Sequence, residues 1–424
     1  MKAQVSPGLV ALAVMLMPAT TAMPTQAQTF TVAAQTRTYT LLHTFTNVPD
    51  GAEPLDALIR DADGTLYGTT AGGGILCSSN PPATCGAVFE VDSDGDETVL
   101  YRFKGGEDGA GPLAGLVRDA SGNLYGTTEG NGVINAVSTV FKVDSSGHET
   151  VLHIFNNFTG GGSADAAPVL DAAGNLYGTT PVGGDVNCGF NGNGCGVVYK
   201  VDSAGKFSVV HTFTSISDGF QPEGDLVLDQ NGNLYGTTEW GDSCPLVPQR
   251  GCGTVFRLSK NGKYTVLHRF SGKADGAIPP TGLTLGTDGN LYGVTNNGGD
   301  LKCNAPYGCG TIFELGVDGK LTVRFTFTPN IIRTASFLTR PVRDSKGNLY
   351  GDKWFDGAHN NGFVYKVDPS GKFTDLYDFP PAGTTQDGDF PQGLVMDAAG
   401  NFYSTMAEGG DPNQPVGTVF KLAP

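Results

Sequence analysis

Gly174-Asn175-Leu176-Tyr177-Gly178-Thr179-Thr180 decides the fold, because variants of this heptapeptide recur along the whole chain. The tyrosines of the copies fall at Tyr67, Tyr125, Tyr177, Tyr235, Tyr292, Tyr350 and Tyr403, spaced by 58, 52, 58, 57, 58 and 53 residues. A repeat of near-constant period marks one supersecondary unit used over and over. The second copy shows its parts: Gly115 to Asp119 (strand A), Leu124 to Thr128 (strand B), Thr139 to Asp144 (strand C) and Thr150 to Phe155 (strand D). Each is short, rich in Val, Leu, Thr, Phe and Tyr, and bounded by Asp, Gly, Asn or Ser. That combination predicts antiparallel strands joined by tight turns. Sustained helical periodicity is absent after the N-terminal segment.

Four-stranded sheets repeated radially make an all-β propeller, here of seven antiparallel blades. The alternative, a linear solenoid, would need capping units. The two ends of the sequence favour a ring. The last copy has a strand C at Gly417-Thr418-Val419-Phe420-Lys421-Leu422 and no strand D after it, while Tyr39-Thr40-Leu41-Leu42-His43-Thr44-Phe45 is a strand D without a blade. The N-terminal strand is therefore expected to complete the last blade and cover its open edge.

Residues 1–27 read as a secretory signal peptide: Lys2, an apolar run from Leu9 to Met17, then the small-residue site Thr25-Gln26-Ala27. A polar lead-in covers 28–36 and the propeller 37–424. The expected location is secreted, extracellular or periplasmic, with no membrane span. Lys and Arg number 26 against 42 Asp and Glu, a net charge of −16, which argues against nucleic acid or an anionic membrane as partner. A monomer is expected. The eight cysteines fall in four B–C loops as Cys77/Cys85, Cys188/Cys195, Cys244/Cys252 and Cys303/Cys309, the second of each pair just before the glycine that opens strand C. Pairing within each loop treats all four alike, and a secreted chain favours disulfides over metal. Closing a loop of about eight residues contributes on the order of 2.5 kcal/mol in the chain-entropy model, so the bridges are expected mostly to pin long loops.

The units resemble the GloVer tandem repeat of bacterial secreted proteins. The likeness is carried by Gly-Asn-Leu-Tyr-Gly-Thr-Thr (Gly122 to Thr128, Gly174 to Thr180, Gly232 to Thr238), by a following Gly183-Gly184, and by Gly-Thr-Val-Phe (Gly253 to Phe256, Gly417 to Phe420). It spans residues 37–424 and implies no defined chemistry. The Asp171 to Tyr177 turn also looks like the units of NHL and gluconolactonase-type propellers, a likeness of fold alone.

Residues repeated in every blade build the blade, so the seven tyrosines and the strand-D rings His43, His153, His211 and His268 read as packing. Five D–A loops carry Asp-Gly-x-x-Pro, beginning at Asp50, Asp108, Asp218, Asp275 and Asp387. Turn chemistry explains this pattern; a ring of carboxylates holding Ca²⁺ at the channel mouth is the functional alternative. Two blades break the repeat, and rule-breaking positions are where function is sought. Blade six reads Asp352-Lys353-Trp354-Phe355-Asp356 after Gly351, with Arg333 in its entry loop, and blade four follows Thr238 with Glu239-Trp240. Tryptophan beside carboxylates suits sugar, by stacking and by accepting from hydroxyls. The expectation is a binding or scaffold module for an extracellular glycan or protein. The alternatives are a carbohydrate-active hydrolase or lyase, and a structural envelope protein.

Overall fold

A computed structural model describes residues 37–79, 82–130, 137–155, 160–188, 192–329, 331–332, 339–381, 388–411 and 414–424. The signal-peptide segment 1–27 and the lead-in 28–36 lie outside them. Blade four shows the plan: Val227–Leu228, Leu234–Thr238, Thr254–Leu258 and Tyr264–Arg269 pair antiparallel in that order. Six blades follow it from consecutive chain. The seventh takes Val395–Met396, Phe402–Glu408 and Thr418–Ala423 from the C-terminal end and Thr38–Thr44 from the other, with Thr38 opposite Ala423 and Thr44 opposite Thr418. The result is the expected seven-bladed, all-β propeller, closed by its N-terminal strand. Among the described residues no helix is long and apolar enough to cross a membrane.

Strand A is shorter than the apolar pattern suggests. Only Val117–Arg118 of Gly115 to Asp119 joins the ladder. The residues before it leave the sheet and face the ring axis.

The glycine of the heptapeptide has a different task from the one its position suggests. Alternation along strand B puts Leu176 and Gly178 on one face and Tyr177 and Thr179 on the other, which suggests a glycine placed for close approach of a neighbouring sheet. In the structure it makes room within its own blade, for an aromatic ring directly opposite on strand C. A methyl group added to Gly236 would lie 2.6 Å from the ring of Phe256 and 2.8 Å from Leu226, closer than carbon atoms approach. The pairs are Gly68/Phe89, Gly126/Phe141, Gly178/Tyr199, Gly236/Phe256, Gly293/Phe313 and Gly351/Tyr365, and every one of these rings is fully buried. Blade seven has Ser404 opposite Phe420.

The two threonines that follow divide the remaining work. The first donates across the blade interface: Thr69 to the Ala114 carbonyl at 2.9 Å, Thr127 to Ala166 at 3.1 Å, Thr237 to Thr281 at 2.8 Å and Thr405 to Asp56 at 3.2 Å. The second is fully buried against the D–A loop. A side chain on Gly51, Gly109, Gly219 or Gly276 would strike it, and all four glycines hold positive φ. That contact is why Asp-Gly, rather than Asp followed by any other residue, opens these loops. The heptapeptide tyrosine points the other way and donates to the aspartate of the A–B turn, as in Tyr67 to Asp61 and Tyr235 to Asp229, both at 3.1 Å.

All four disulfides form within their loops, as Cys77–Cys85, Cys188–Cys195, Cys244–Cys252 and Cys303–Cys309, with Cα–Cα separations of 5.3 to 5.9 Å. None of the eight cysteines is left as a thiol for a metal. Their placement corrects the expectation that the bridges mostly pin loops. Cys85, Cys195, Cys252 and Cys309 are all fully buried, because the residue before strand C already lies in the core between blades. Cys303 and Cys309 pack there with Phe327 and Ile332, and Cys303 Sγ lies 3.3 Å from the Ile332 carbonyl. The second cysteine of the other three bridges also accepts from the next D–A loop: Gly111 N to Cys85 O, Gln221 N to Cys195 O and Ile278 N to Cys252 O. The loop that would make this bond to Cys309 falls in 333–338, outside the described residues. Each bridge thus steadies a blade-to-blade contact as well as its own loop, and four disulfides suit an oxidising compartment outside the cytoplasm.

Gly236→Ala should lower stability by about 1–3 kcal/mol, the usual consequence of overpacking, read as a shift of the urea midpoint at unchanged slope. Deleting residues 38–45 should expose the edge of Thr418–Ala423 and give aggregation or loss of cooperative unfolding, measured by light scattering and thermal melts. A deletion protein as soluble and cooperative as the full chain would refute closure by this strand.

Candidate functional site

Antiparallel order puts the D–A and B–C loops on one face of the ring, with the residues that precede each strand A around the axis. There they enclose a cavity of about 220 Å³ lined from all seven blades. The register relative to strand A is constant, so the lining can be compared blade by blade. Two positions before the ladder stand Ala57, Gly115, Ala167, Asp225, Gly282, Arg340 and Gly393. Five are small, as a narrow axis requires. The two exceptions meet across it: Arg340 Nη1 lies 3.4 Å from Asp225 Oδ2. Asp225 Oδ1 accepts from Ala167 N at 2.8 Å, so this carboxylate ties blades three, four and six together.

Three further carboxyls line the cavity: Asp56, Asp165 and Glu223. Asp56 accepts from its neighbour Ala57 N and from Gly115 N of the next blade, both at 2.5 Å. Burial, and then the nearby Asp225 charge, push its pKa up to about 7 against those two bonds and Arg340. Asp165 is raised to about 8, by burial first and by Glu223 second. Behind Glu223 lies Glu239 of the B–C loop, hydrogen-bonded to it and raised to about 8 by burial and by the Glu223 charge. Glu223 itself is raised by burial. The pocket therefore offers protonated carboxyls, which donate as well as accept, beside the Asp225–Arg340 pair.

Trp354 is the aromatic wall of this cavity. Blade six brings it there with two neighbours that do other work. Asp352 occupies the register of the first threonine; its Oδ2 accepts from Gly393 N at 2.9 Å, replacing the threonine clamp to the next blade by one of opposite polarity. Its carboxyl is fully buried and raised to about 7 by that burial. Lys353 takes the register of the second threonine and pairs with Asp356 at 2.8 Å, both buried. Asp356 is therefore sealed inside blade six. Trp240 is packed in blade four with the Arg250 guanidinium 5.1 Å over its ring. Arg333 lies outside the described residues.

The Asp-Gly aspartates turn toward their own loops. Asp50 accepts from Thr46 N and Oγ1 at 2.9 and 2.8 Å, Asp108 from Tyr101 Oη and Lys104 N at 2.6 Å, Asp218 from Ser215 Oγ at 2.6 Å, and Asp275 from Ser271 N at 3.0 Å. These bonds belong to the turn reading of the motif. None of the four lines the axial cavity, and Asp387 lies outside the described residues. The strand-D rings pack as expected, with His153 stacked on Phe207 at 3.6 Å and His211 on Tyr264 at 4.0 Å.

Asp56, Asp165, Glu223, Asp225 and Arg340 carry no repeated motif, which is why a search for motifs passes over them. The signal that exposes them is the column comparison: charged residues where other blades have Ala, Gly, Leu or Pro, and for Asp56 also Thr or Gln.

Raised carboxyls set the sign of the pH response. A carboxyl with a higher pKa in the folded chain binds more protons there than in the unfolded chain. Its stabilising contribution is full below the ordinary carboxylate range and is lost as pH rises through about 7 to 8. Asp165→Asn should therefore raise stability at pH 8.5 by about 1 kcal/mol or more, with little effect at pH 4.5, as read by thermal melts across that range. A decline with pH as steep as that of the parent chain would count against the burial of Asp165.

No curated protein matches the chain. Among solved structures it is similar to a gluconolactonase from Xanthomonas campestris, at 16% identity and TM-score 0.40 over 74% of this chain and 86% of that one. It is also similar to a luciferin-regenerating enzyme, at 14% identity and TM-score 0.44 over 76% and 92%. The model of the Gloeobacter/Verrucomicrobia repeat matches residues 19–243, 188–331 and 301–424. With its seven blades built on that repeat from end to end, the chain belongs to the Gloeobacter/Verrucomicrobia repeat family.

Proposed function

We propose that the chain is a secreted, extracytoplasmic glycan-binding module whose axial pocket seats a single sugar ring. The observation that supports this reading is the convergence of Trp354 with Asp165, Glu223, Asp225 and Arg340 on one cavity of about 220 Å³. That volume is small for a drug-sized ligand and fits one pyranose. An aromatic wall stacks on the apolar face of a sugar. Carboxyls around it accept from hydroxyls, and the protonated ones also donate. Leu55, Leu113, Pro280 and Leu394 supply the apolar part of a mixed lining to which Asp56, Thr281, Thr339 and Gln392 also contribute. A protein partner would need a broad surface, and the asymmetric pocket does not provide one.

A hydrolase or lyase is the second reading, and the raised Asp165 carboxyl favours it. An acid protonated near neutral pH, next to other carboxyls, is what glycosidic cleavage asks of its proton donor.

The test uses the two tryptophans. Titrating the full chain with a panel of mono- and oligosaccharides should change the fluorescence of Trp354 and leave that of Trp240, under Arg250, unchanged. Trp354→Ala should weaken binding by about 1–3 kcal/mol, as for a buried aromatic anchor, at an unchanged melting temperature. Tyr177→Ala should instead lower the melting temperature, because that tyrosine holds the A–B turn through Asp171. Sugar binding that survives Trp354→Ala would refute the axial pocket as the site. Release of reducing ends from a bound oligosaccharide, abolished by Asp165→Asn, would decide for the hydrolase.

A further inference from the structure

The closing seam of the ring carries a second cluster, remote from the axis. Each strand D places a ring that faces the first residue of strand D in the next blade. His153 faces Phe207, His211 faces Tyr264 and Phe325 faces Phe373, all as stacked rings. In the same register Tyr377 stacks on Tyr39, and His268 stands opposite Leu321. Where blade seven meets blade one the facing residue is Glu97; Glu149 holds the same register opposite Tyr101, so of these two carboxylates it is Glu97 that faces an imidazole. Asp50 of the intervening D–A loop completes the group. One ligand atom each from His43, Asp50 and Glu97 lie within 4.8 Å of one another.

Three features make this more than a chance gathering of polar groups. First, the spacing suits a metal: His43 Nε2 and Asp50 Oδ2 are 3.4 Å apart. Two ligands bound at about 2.1 Å in a tetrahedral shell are separated by about 3.4 Å. Second, Glu97 Oε1 is screened from solvent and has no hydrogen-bond partner among the described residues. Such groups are rare in folded proteins and call for a counterpart. Third, the carboxylate is already oriented. Thr46 N and Oγ1 both donate to Asp50 Oδ1, which leaves Oδ2 directed at the imidazole. Outer bonds of this kind are what aim a metal ligand.

We infer that His43, Asp50 and Glu97 bind a divalent transition-metal ion of the zinc class, which clips the N-terminal strand to blade one. One imidazole with two carboxylates selects zinc-like ions over calcium, whose shell is built of six to eight oxygens. The ion would join the two ends of the ring through side chains, in addition to the backbone ladder between Thr38–Thr44 and Thr418–Ala423.

The repeat itself supplies variants that fit the fold. Phe325 occupies the register of His43 in blade five, and Leu321 that of Glu97 in the same blade. The experiment takes the tag-free full chain, strips it with EDTA, and titrates it with zinc chloride by calorimetry. One ion per chain should bind, the melting temperature should rise, and hydrogen exchange of residues 38–44 should slow. His43→Phe and Glu97→Leu should each weaken zinc binding by more than the 10–100-fold typical of losing an outer-shell partner, and should abolish the zinc-dependent rise in melting temperature. His268→Phe should leave zinc binding unchanged, because among the described residues His268 and Asp275 have no third ligand beside them. Glu97→Gln, which keeps size and shape, decides the matter if either apolar variant fails to fold. Two results would overturn the inference: zinc binding by the parent chain no tighter than by His43→Phe, or binding without protection of residues 38–44.

Discussion

Everything in this ring hangs on one contact, an aromatic ring of strand C lying across a glycine of strand B. The contact fixes register, because a slip of one residue would place Tyr or Thr under the ring and turn the apolar face outward. Its glycine interrupts a strand otherwise made of Leu, Tyr and Thr, at some cost in conformational entropy. The return is a fully buried Phe or Tyr in each blade, packed with the Phe that ends strand D, as with Phe256 and Phe213 of adjacent blades at 5.5 Å. Because the same ring touches its own sheet and the neighbouring one, packing within a blade and packing between blades are a single interaction. A cavity in one blade is therefore felt by two.

That economy leaves the axis free. Strand A contributes two residues to each ladder, and what precedes it has only to be small enough to pass its neighbours. Gly224 and Gly282 approach so closely that a side chain on either would meet backbone of the other blade. Where the constraint relaxes, charge can enter without disturbing the propeller, and it has entered unevenly. Blades three and four supply Asp165, Glu223, Glu239 and Asp225, blade one supplies Asp56, and blade six supplies Arg340 and Trp354. A symmetric framework thus carries an asymmetric pocket, and the asymmetry is confined to positions the framework does not use.

The architecture was legible because it is written seven times. Period, strand count, loop-local disulfides and the orphan strand at Tyr39 to Phe45 all come from features that repeat, and repetition separates pattern from accident. For the glycine, alternation gives the face of a strand and does not say which sheet that face meets. Only the cross-strand register, Gly236 opposite Phe256, settles that. The cysteines show the same limit: spacing gives the pairing of Cys303 with Cys309 but not the depth at which the bridge sits, which depends on the blade beside it. At the site the sequence offered two tryptophans on equal terms. Trp354 reaches the axis, whereas Trp240 lies under Arg250, and neither outcome is encoded in the few residues around each. Asp352 and Asp356 attracted notice as departures from Thr-Thr. Both are explained by the backbone and side-chain partners they replace, a threonine clamp by a carboxylate and a threonine hydroxyl by a buried ion pair.

Those replacements bear on how such a repeat diversifies. The first threonine donates to a carbonyl of the next blade, and a carboxylate in its place can only accept unless it is protonated. Asp352 solves this by taking the amide of Gly393, one residue further along, so the interface keeps a bond while the donor changes sides. Burial pushes that carboxyl up to about 7, which disfavours its charged form. The strand-C rings of blades three and six are the two tyrosines in a column otherwise filled with phenylalanine, Tyr199 and Tyr365. Each has a buried carboxyl as its electrostatic neighbour, Asp165 and Asp352 respectively, and burial weakens the acidity of all four groups. Polar substitution in the core therefore came in pairs, hydroxyl with carboxyl, at the two blades that flank the acidic side of the axis and the tryptophan. In a ring held together by one repeated apolar contact, these two tyrosine hydroxyls enter the core beside a buried carboxyl, and both places lie next to the pocket.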